Sequence, residues 1–514
     1  MASGGGGGGA CWVLLLATLA ATAPKAGAPF PGPISNLAVS GRRVLVSSGP
    51  CVYQLQPTRD AAPAASAGPP LFCLNRTDSV NQLLLPYAAR EGARLITCWT
   101  QPNGVCYRGD LRGRFPENKL AEQAVSCSPR GSSVGTLFPW GPDWFLAVAA
   151  TTAKGAADSC ASGENSALYI VRDDETRVGE ESSLRVPGDG YFVDAFRWAQ
   201  WLFFPYYNLA SCPPQMLIVP EDPQPSRYQQ APLRCADKTR LLSSSRLSLP
   251  GGRALWVGVF SSGEALRTPT SSALCLFDLR QVLDRSQGCR RGFPGTLECC
   301  NTTQPVNSPF LNHSDLVSVY ATVILKTPVL FLRTGNGQLL KVTLDEKMRP
   351  SCPDILYEIE EETSIFNKLE FDPLDKNFIY LSSNEQLWRV QVANCSKYVS
   401  CKECLSAMDP YCGWCHLNKR CTLKEECPAN LKNWVDISEG ADKCLKIYIS
   451  GTYRGVITVT SVGNFSDLSK RDSSCKVVNA QTDKTLCENK SQDTRSCSCS
   501  LHSEAVTDKG IELQ

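Results

Sequence analysis

The sequence predicts an all-β protein, and three observations lead to that prediction. Between residues 30 and 394 the chain is a succession of short apolar runs, such as "ALWVGVFSSG", separated by turn-forming residues. Helical patterns are rare and short, with the best ones near 279–286 and 118–124. The composition, with 38 glycines, 34 prolines and 43% hydrophobic residues, indicates a turn-rich globular chain.

Three segments share one pattern, an apolar strand, a polar turn and a second strand. They are "VLVSSGPCVYQLQ", "VLFLRTGNGQLLKV" and "FIYLSSNEQLWRV", and the last two begin 49 residues apart, near the period of a propeller blade. Generic hairpins would show the same pattern. A single β-sandwich would hardly need so long a region, so we favour a β-propeller with inserted loops. The stretch "TGNGQ" lacks the third glycine and the following helix of a phosphate loop, so we interpret it as a hairpin turn.

The first residues indicate the compartment. "CWVLLLATLAATA" is too short to span a bilayer and suits the hydrophobic region of a signal peptide. Sites of A-x-A type end at Ala23 and Ala28, and we assign residues 1–28 to the signal peptide. No later segment offers eighteen apolar residues, so we expect an extracellular fragment or isoform, or a complete secreted protein.

Charge and glycosylation motifs agree with secretion. The chain has 52 basic and 50 acidic residues, which gives no electrostatic footprint for nucleic acid or an anionic membrane. Six Asn-x-Ser/Thr motifs predict N-glycosylation. These lie at Asn75, Asn301, Asn312, Asn394, Asn464 and Asn489.

Cysteines concentrate in residues 395–444, where eight of the 26 occur. Two CxxC pairs, Cys401/Cys404 and Cys412/Cys415, have the spacing of a zinc knuckle. A zinc site would leave four nearby cysteines unexplained, and behind a signal peptide cysteines pair with one another. We therefore predict a small disulfide-stapled module without metal.

This segment resembles the PSI module of plexins, semaphorins and integrins, most clearly in "DPYCGWC". The resemblance implies that the first cysteine pairs with the fourth, the second with the eighth, the third with the sixth and the fifth with the seventh. Trp414 would pack on the bridges. The implied pairs are Cys395–Cys412, Cys401–Cys444, Cys404–Cys421 and Cys415–Cys427.

The preceding region resembles the sema domain of plexins, and of the C class in particular. The resemblance rests on "QLLLPYAAREG", "YFVDAFRWAQWLFFPYY", "HSDLVSVYATVILKTPVLFLRTGNGQLLKV" and "CPDILYEIEEETSIF". It implies a seven-bladed β-propeller over 29–394, followed by the PSI module at 395–444. Residues 445–514 would then begin an IPT/Ig-like β domain or a linker.

Thirteen cysteines lie between 51 and 352, so at least one is left unpaired or pairs between chains. From spacing and family habit we predict Cys51–Cys73 and Cys106–Cys127. Cys98 and one of the vicinal Cys299 and Cys300 are the expected leftovers.

No feature of the chain favours catalysis. Its three histidines do not lie in a recognisable motif, and no GxSxG, HExxH or P-loop occurs. The resemblance instead implies a cell-surface receptor, without cofactor, that binds a semaphorin for guidance, adhesion or immune signalling and dimerises on binding. For the C class it implies a membrane-anchored class 7 semaphorin or a viral mimic. The alternatives are a semaphorin-type ligand and a β-propeller hydrolase.

Two stretches are candidates for the interface. The run "YFVDAFRWAQWLFFPYY" contains interface-type aromatics, but it is so apolar that we expect a core strand pair. The loop "EDPQPSRYQQ", residues 221–230, is stiffened by two prolines and carries Arg227 and Tyr228, residue types enriched at interface centres. A solvated connection would have the same polar, proline-rich character. We nevertheless predict that Arg227 and Tyr228 contact the partner.

Overall fold

The computed structural model describes two compact units, 1–392 and 393–514, and the division falls close to the boundary expected at 394/395. Residues 1–26, which hold most of the expected signal peptide, are outside the described part. From residue 27 onwards the described part has gaps at 56–67, 91, 112–117, 130, 152–165, 174–179, 186–189, 209–212, 263–270, 287–301, 308, 359–367, 417, 428–433, 439–443, 445, 454–455, 463–473, 480–484, 491–495, 503–510 and 514.

Unit 1, where it is described, consists of seven antiparallel sheets. The first strand, β1 (Ala28–Pro29), belongs to the last of them. The first three sheets contain β2 (Ile34–Ser40), β3 (Arg43–Ser48), β4 (Cys51–Leu55) and β5 (Pro70–Cys73); β6 (Asn81–Ala89), β7 (Gly92–Trp99), β8 (Val105–Asp110) and β9 (Asn118–Ala121); and β10 (Ser133–Trp140), β11 (Asp143–Thr151), β12 (Ser166–Asp173) and β13 (Glu180–Arg185).

The fourth sheet has five strands and the remaining sheets have four. They contain β14 (Gly190–Phe192), β15 (Phe196–Trp198), β16 (Trp201–Asn208), β17 (Gln215–Pro220) and β18 (Gln229–Pro232); β19 (Arg240–Ser248), β20 (Ala254–Ser261), β21 (Ser272–Asp278) and β22 (Leu311–His313); β23 (Leu316–Ile324), β24 (Thr327–Thr334), β25 (Gln338–Thr343) and β26 (Asp354–Glu358); and β27 (Leu369–Phe371), β28 (Phe378–Ser382) and β29 (Gln386–Gln391), which β1 joins.

Helices are few among the described residues of unit 1. A 3-10 turn covers Pro250–Gly252, and α1 (Leu279–Ser286) lies in the segment where the sequence predicts a short helix. The second predicted helix, at 118–124, is wrong, because its first residues form β9 at the edge of the second sheet. No helix in the described residues is long and apolar enough to cross a bilayer.

The second strands of the sheets show why the sequence favours this arrangement. In β20 every residue of "ALWVGVFS" is buried, and seven of the eight residues of β24 are buried. Alternation of apolar and polar residues is typical of a strand with one solvent-exposed face. A continuous apolar run is typical of a strand that is buried on both faces. Each such strand therefore lies between two neighbouring sheets.

Apolar clusters join consecutive sheets. Phe203 of the fourth sheet and Trp256 of the fifth share one cluster, and Phe371 of the seventh sheet packs edge-on against Tyr320 and Phe331 of the sixth. Contacts between sheets continue in order and return from β27 to β2 of the first sheet. This closed sequence of seven sheets agrees with the seven blades that the resemblance implies.

The ring is closed by pairing the two ends of unit 1. In β1, Ala28 lies opposite Leu387 of β29, and Ala28 is only 1% exposed. The seventh sheet thus takes three strands from the end of the unit and one from its beginning. Ala28, which the sequence analysis assigns to the signal peptide, thus pairs within unit 1, and the extent of the signal peptide stays a prediction. Of the two A-x-A sites, cleavage after Ala23 would leave this strand intact.

In the described part of unit 1, Arg108 and Arg389 each belong to a buried ionic network. The Arg108 guanidinium donates to Asp173 Oδ1 at 2.6 Å, and the Tyr87 hydroxyl donates to the same carboxylate, which joins the second sheet to the third. In the seventh sheet Arg389 Nε donates to Asp372 Oδ2 at 2.6 Å. Burial raises the pKa of the Tyr87 hydroxyl well above its usual value, so it acts as a neutral donor. Each of these buried charges is thus paired with an opposite charge.

Unit 2 begins with short elements. They are a 3-10 turn (Cys395–Lys397), α2 (Cys401–Ser406), β30 (Cys412–Cys415), β31 (Arg420–Leu423), a 3-10 turn (Lys424–Glu426) and β32 (Trp434–Asp436). The backbone then forms two three-stranded sheets, β33 (Lys446–Tyr453), β34 (Val456–Val462) and β37 (Ser496–His502), and β35 (Ser474–Asn479), β36 (Thr485–Lys490) and β38 (Ile511–Leu513). The β structure expected after residue 445 is therefore present, and its assignment to an IPT/Ig-like domain stays a prediction.

Candidate functional site: a surface of the fourth sheet

The predicted interface loop connects the last two strands of the fourth sheet. Residues 221–228 lie between β17 and β18, and Gln229 and Gln230 already belong to β18. In consecutive antiparallel strands the first and third connections emerge at the same edge of the sheet. The loop therefore lies beside the tight turn, Ala199–Gln200, that joins β15 to β16.

Several contacts hold the loop in place. The Glu221 amide donates to the Gln200 carbonyl at 3.0 Å, and the Glu221 carboxylate, almost fully buried, pairs with Arg197. Asp222 Oδ1 accepts from the Gln224 amide at 2.9 Å, which closes a local turn, and Pro225 is buried. A loop fixed in this way loses little conformational entropy on binding.

The two predicted contact residues differ in their surroundings. Arg227 is exposed, whereas Tyr228 is half-buried and packs against the cluster between the third and fourth sheets that includes Leu202 and Leu217. Part of the Tyr228 ring thus stabilises the fold. Of the pair, Arg227 is the side chain that reaches solvent.

The aromatic run of the fourth sheet is core, as the sequence predicts. Phe203, Tyr206 and Tyr207 are at most 4% exposed. Trp198 and Trp201 are partly buried and pack against the cluster shared with the fifth sheet. The Tyr206 hydroxyl donates to Gln215 Oε1 at 3.0 Å and accepts from Gln230 Nε2 at 2.7 Å, so its polar end is satisfied inside the sheet.

Next to the loop is a cleft that the sequence does not predict. We call it the hairpin groove; its volume is about 630 Å³. Its walls come from β10, from the β15–β16 hairpin and from β19. The lining residues are Thr136, Ala195, Phe196, Arg197, Trp198, Ala199, Gln200 and Arg246. The sequence gives no signal for this cleft, because residues from three sheets meet only in the folded unit.

The disulfides of residues 395–444 pair as the resemblance implies. The structure contains Cys395–Cys412, Cys401–Cys444, Cys404–Cys421 and Cys415–Cys427. The zinc alternative is therefore wrong for the two CxxC pairs, because all four sulfurs are in disulfides. Trp414 packs in a cluster with Cys401 and Cys444, as expected. A second tryptophan, Trp434, which the sequence analysis missed, covers Cys415 and Cys427.

Close packing in this module explains why residue 413 is a glycine. A Cβ atom there would come within 2.4 Å of the Trp434 ring and 2.6 Å of the Val435 carbonyl oxygen. The Trp434 indole also donates to the Thr422 carbonyl at 3.2 Å. The "CGWC" sequence thus lets one strand lie directly beneath an aromatic ring.

In unit 1 one of the two predicted bridges is present and the other is wrong. Cys51 pairs with Cys73. Cys106 pairs with Cys98 and not with Cys127. Cys98 on β7 and Cys106 on β8 lie directly opposite each other. Cys98 is therefore not a leftover, and Cys127 is disulfide-bonded to another residue.

Two further findings on unit 1 cysteines were not anticipated. Cys235 pairs with Cys275, and Cys352 is also disulfide-bonded. The expected leftover Cys299 or Cys300 lies outside the described residues.

Three of the six glycosylation motifs can be located. Asn75, Asn312 and Asn394 have exposed side chains, as the modification requires. At the last of these, Ser396 Oγ donates to Asn394 Oδ1 at 2.8 Å. Asn301 and Asn464 lie outside the described residues, and only the backbone of Asn489 is described. Occupancy of all six stays a prediction.

Comparison with known proteins agrees with this architecture. Residues 394–445 match the family model described as PSI, the plexin repeat. The chain is 38% identical to human Plexin-C1 over 552 aligned positions, which cover 96% of the chain and 35% of that protein. It is 37% identical to mouse Plexin-C1 over 95% of the chain and 34% of that protein. The chain thus spans about a third of the length of the curated relatives it matches.

Solved structures share the fold. The full extracellular region of plexin A4 matches 95% of the chain and 60% of that structure, with a TM-score of 0.65 and 19% identity. Drosophila Plexin A, solved in complex with Semaphorin 1b, matches 80% of the chain and 96% of that structure, with a TM-score of 0.55 and 16% identity.

A closed ring of seven sheets followed by a four-disulfide module defines the sema–PSI class of extracellular proteins. Within that class, the sequence similarity identifies the chain as a member of the plexin family. The relatives are plexins, in agreement with the prediction that the chain is not an enzyme.

Proposed function

We propose that this chain is the ligand-binding part of a plexin receptor and that unit 1 binds a semaphorin. The observation that carries the proposal is the 38% identity to human Plexin-C1 along 96% of the chain. The Drosophila relative with the same fold was solved in complex with a semaphorin, which supports this partner class. Disulfides in both units suit an extracellular location.

A semaphorin-type ligand is the second candidate. Drosophila Semaphorin 2a matches 94% of the chain and 95% of that structure, with a TM-score of 0.59, but at 14% identity. This similarity concerns the fold alone. The much higher identity to plexins favours the receptor side of the interaction.

The finer specificity is also a proposal. We infer a membrane-anchored class 7 semaphorin or a viral semaphorin as the partner, with receptor dimerisation on binding. Support comes from the similarity to Plexin-C1, since the resemblance to the C class implies this ligand class.

We place the contact on the 221–230 loop. Support comes from its fixed conformation and from the exposed guanidinium of Arg227. Arginine is enriched among residues that dominate binding energy, partly because it forms bidentate pairs with carboxylates. Tyr228 contributes through the part of its ring that stays accessible.

The test is the binding of soluble semaphorins to the immobilised, secreted chain. Class 7 and viral semaphorins should bind saturably, and a plexin ectodomain used as the analyte should not. Failure of every semaphorin to bind, together with binding of plexin ectodomains, would overturn the receptor assignment in favour of the ligand.

A second step tests the loop. Arg227→Ala should weaken semaphorin binding about tenfold or more, because hot-spot truncations cost at least ~2 kcal/mol. Arg280→Ala, which removes an exposed arginine on α1, is the control and should bind semaphorin like wild type. Unchanged affinity of Arg227→Ala would move the interface elsewhere and leave the receptor assignment standing.

A further inference from the structure

The fourth sheet contains two tryptophans at a spacing that occurs once in the chain. Of the ten tryptophans, only Trp198 and Trp201, in "WAQW", lie three positions apart. A tryptophan followed by another at this spacing is the acceptor pattern for C-linked mannosylation, in which a mannose is attached to the indole carbon Cδ1 of the first tryptophan in the secretory pathway. Such a motif carries weight only where its structural context supports it.

A hairpin places the two tryptophans side by side. Trp198 ends β15, Trp201 begins β16, and the two residues lie directly opposite each other. Between them Ala199 and Gln200 form the turn, with φ values of 48° and 65° in the left-handed region. A two-residue turn between antiparallel strands of this kind requires that backbone conformation. The whole pattern therefore lies in one tight turn at the edge of the fourth sheet.

Trp198 has room for a substituent, unlike the tryptophans of the core. Trp99 and Trp256 are 0% exposed, so a sugar on either ring would force the surrounding side chains apart. Trp198 is only partly buried: it packs against the cluster shared by the fourth and fifth sheets, and it also lines the hairpin groove. A cleft of about 630 Å³ lies within the size range of small-ligand sites and can hold one sugar ring.

The charges at the groove are balanced inside the protein. Arg197 pairs with the almost fully buried Glu221. Arg246 donates to the Arg197 carbonyl at 2.6 Å, and its charge interacts with the carboxylate of Asp194. The groove therefore suits a neutral, hydroxyl-rich group better than an ionic one.

We propose that Trp198 is C-mannosylated and that the hairpin groove holds the mannose. The sugar hydroxyls bond to the side chains of Thr136 and Gln200, and the sugar ring lies beside Phe196; all three residues line the cleft. An aromatic wall with a few polar groups is the usual composition of a small-ligand site. The inference rests on the extracellular location in the proposed function, but not on the semaphorin interaction.

The transfer needs a mannosyltransferase and a polyprenyl-phosphate mannose as donor. The bond between the anomeric carbon of the mannose and the phosphate oxygen breaks, and the anomeric carbon bonds to Cδ1 of Trp198. The proton on Cδ1 passes to a base of the transferase, and the polyprenyl phosphate leaves with the electron pair of the broken bond. We place this step before folding, because the cluster shared by the two sheets covers part of the indole afterwards.

The experiment is peptide mapping by mass spectrometry of the full chain, recovered from the medium of mammalian cells and of the same line without its C-mannosyltransferases. The Trp198 peptide should carry one hexose from the first line and none from the second. The hexose should survive the fragmentation that removes O-linked sugars, because a carbon–carbon bond is stronger than a glycosidic bond. Trp140 and Trp144 are the matched control: they flank the hairpin turn between β10 and β11, lie four positions apart and should stay unmodified.

Trp201→Phe keeps an aromatic ring opposite Trp198 but removes the pattern, so most of the hexose should be lost. Only chain recovered from the medium is mapped, so every molecule has passed through the secretory pathway. Absence of the hexose from wild type would overturn the proposal, as would an unchanged amount in Trp201→Phe or a hexose on Trp140.

Melting temperatures test where the sugar lies. A mannose held in the groove adds contacts to unit 1, so wild type from the first line should melt roughly 1–2 °C above wild type from the second. Trp198→Phe should melt at the same temperature from both lines. A hexose on Trp198 that leaves the melting temperature of wild type unchanged, or lowers it, would overturn the assignment of the groove.

Discussion

Unit 1 and the cysteine-rich module of unit 2 are stabilised in different ways. In unit 1, buried apolar strands from seven sheets pack on one another, and two of the described disulfides, Cys51–Cys73 and Cys98–Cys106, join strands that already pair. In residues 395–444 the strands are three or four residues long, and four disulfides cross-link the segment. A long chain can bury enough apolar surface to fold, whereas a segment of this size needs covalent cross-links.

The largest effect should follow from removing an aromatic side chain between two sheets. Trp256 is fully buried between the fourth and fifth sheets, so Trp256→Ala should destabilise unit 1 by about 3–5 kcal/mol. Chemical denaturation with tryptophan fluorescence and circular dichroism measures the loss. Trp140→Ala, at an exposed turn, is the control and should change little. Equal effects of the two changes would contradict the packing account.

Removing a bridge from the small module should have the next largest effect. Cys404→Ala with Cys421→Ala opens a loop closed over a sequence separation of 17, which the chain-entropy model values at about 3 kcal/mol. The melting transition of unit 2 should shift strongly while that of unit 1 stays in place. A shift of both transitions by the same amount would mean that the units do not unfold independently.

Acid should affect the two regions in opposite directions. Burial raises the pKa of Asp194 in unit 1 to about 6, above its unfolded value, so the folded unit binds a proton more readily and becomes more stable as pH falls through that range. Burial lowers the pKa of His416 in unit 2 below its usual value, so unit 2 loses stability as pH falls below the unfolded histidine pKa.

Calorimetry between about pH 7.5 and pH 5 measures both transitions. Asp194→Asn should remove part of the pH dependence of unit 1, and His416→Gln should remove part of that of unit 2. Parallel shifts of the two transitions in wild type would refute the assignment of opposite signs.

The smallest effect on stability should come from the glycosylation sites. Asn75→Gln and Asn312→Gln each change an exposed side chain in unit 1 and should alter stability by less than ~0.5 kcal/mol. Each should nevertheless remove the mass of one glycan from protein expressed through a secretory pathway. Intact mass with and without glycosidase tests this, and an unchanged mass would show that the site is unused.

The sequence predicted the features that depend on local pattern. Strand-rich structure follows from short apolar runs, and the burial of Phe203 and Tyr206 follows from the apolar character of their segment. The four bridges of the small module were implied by its resemblance to a known family and could not be derived from spacing. Local pattern thus predicted strand content and burial, but not which residues meet in space.

Features that depend on register or on distant residues were missed. Cys98 bonds Cys106 because the register of β7 and β8 places them opposite each other, and spacing alone does not reveal the register. The half-burial of Tyr228 and the hairpin groove need neighbouring sheets in place. The two-residue strand β1 is too short to produce a periodic pattern.

The pairing of β1 with β29 has a consequence for biosynthesis. Ala28 leaves the ribosome early, and its partner Leu387 follows roughly 360 residues later. The contact therefore joins residues that are very far apart in the sequence. Six sheets can form during translation, but the seventh must wait for the end of unit 1 and then recruit a strand made at the start. Until that moment β29 has an unpaired edge, which is the kind of surface on which chaperones act and from which aggregation begins. Chain termination before residue 391 would therefore leave a nearly complete ring that cannot close.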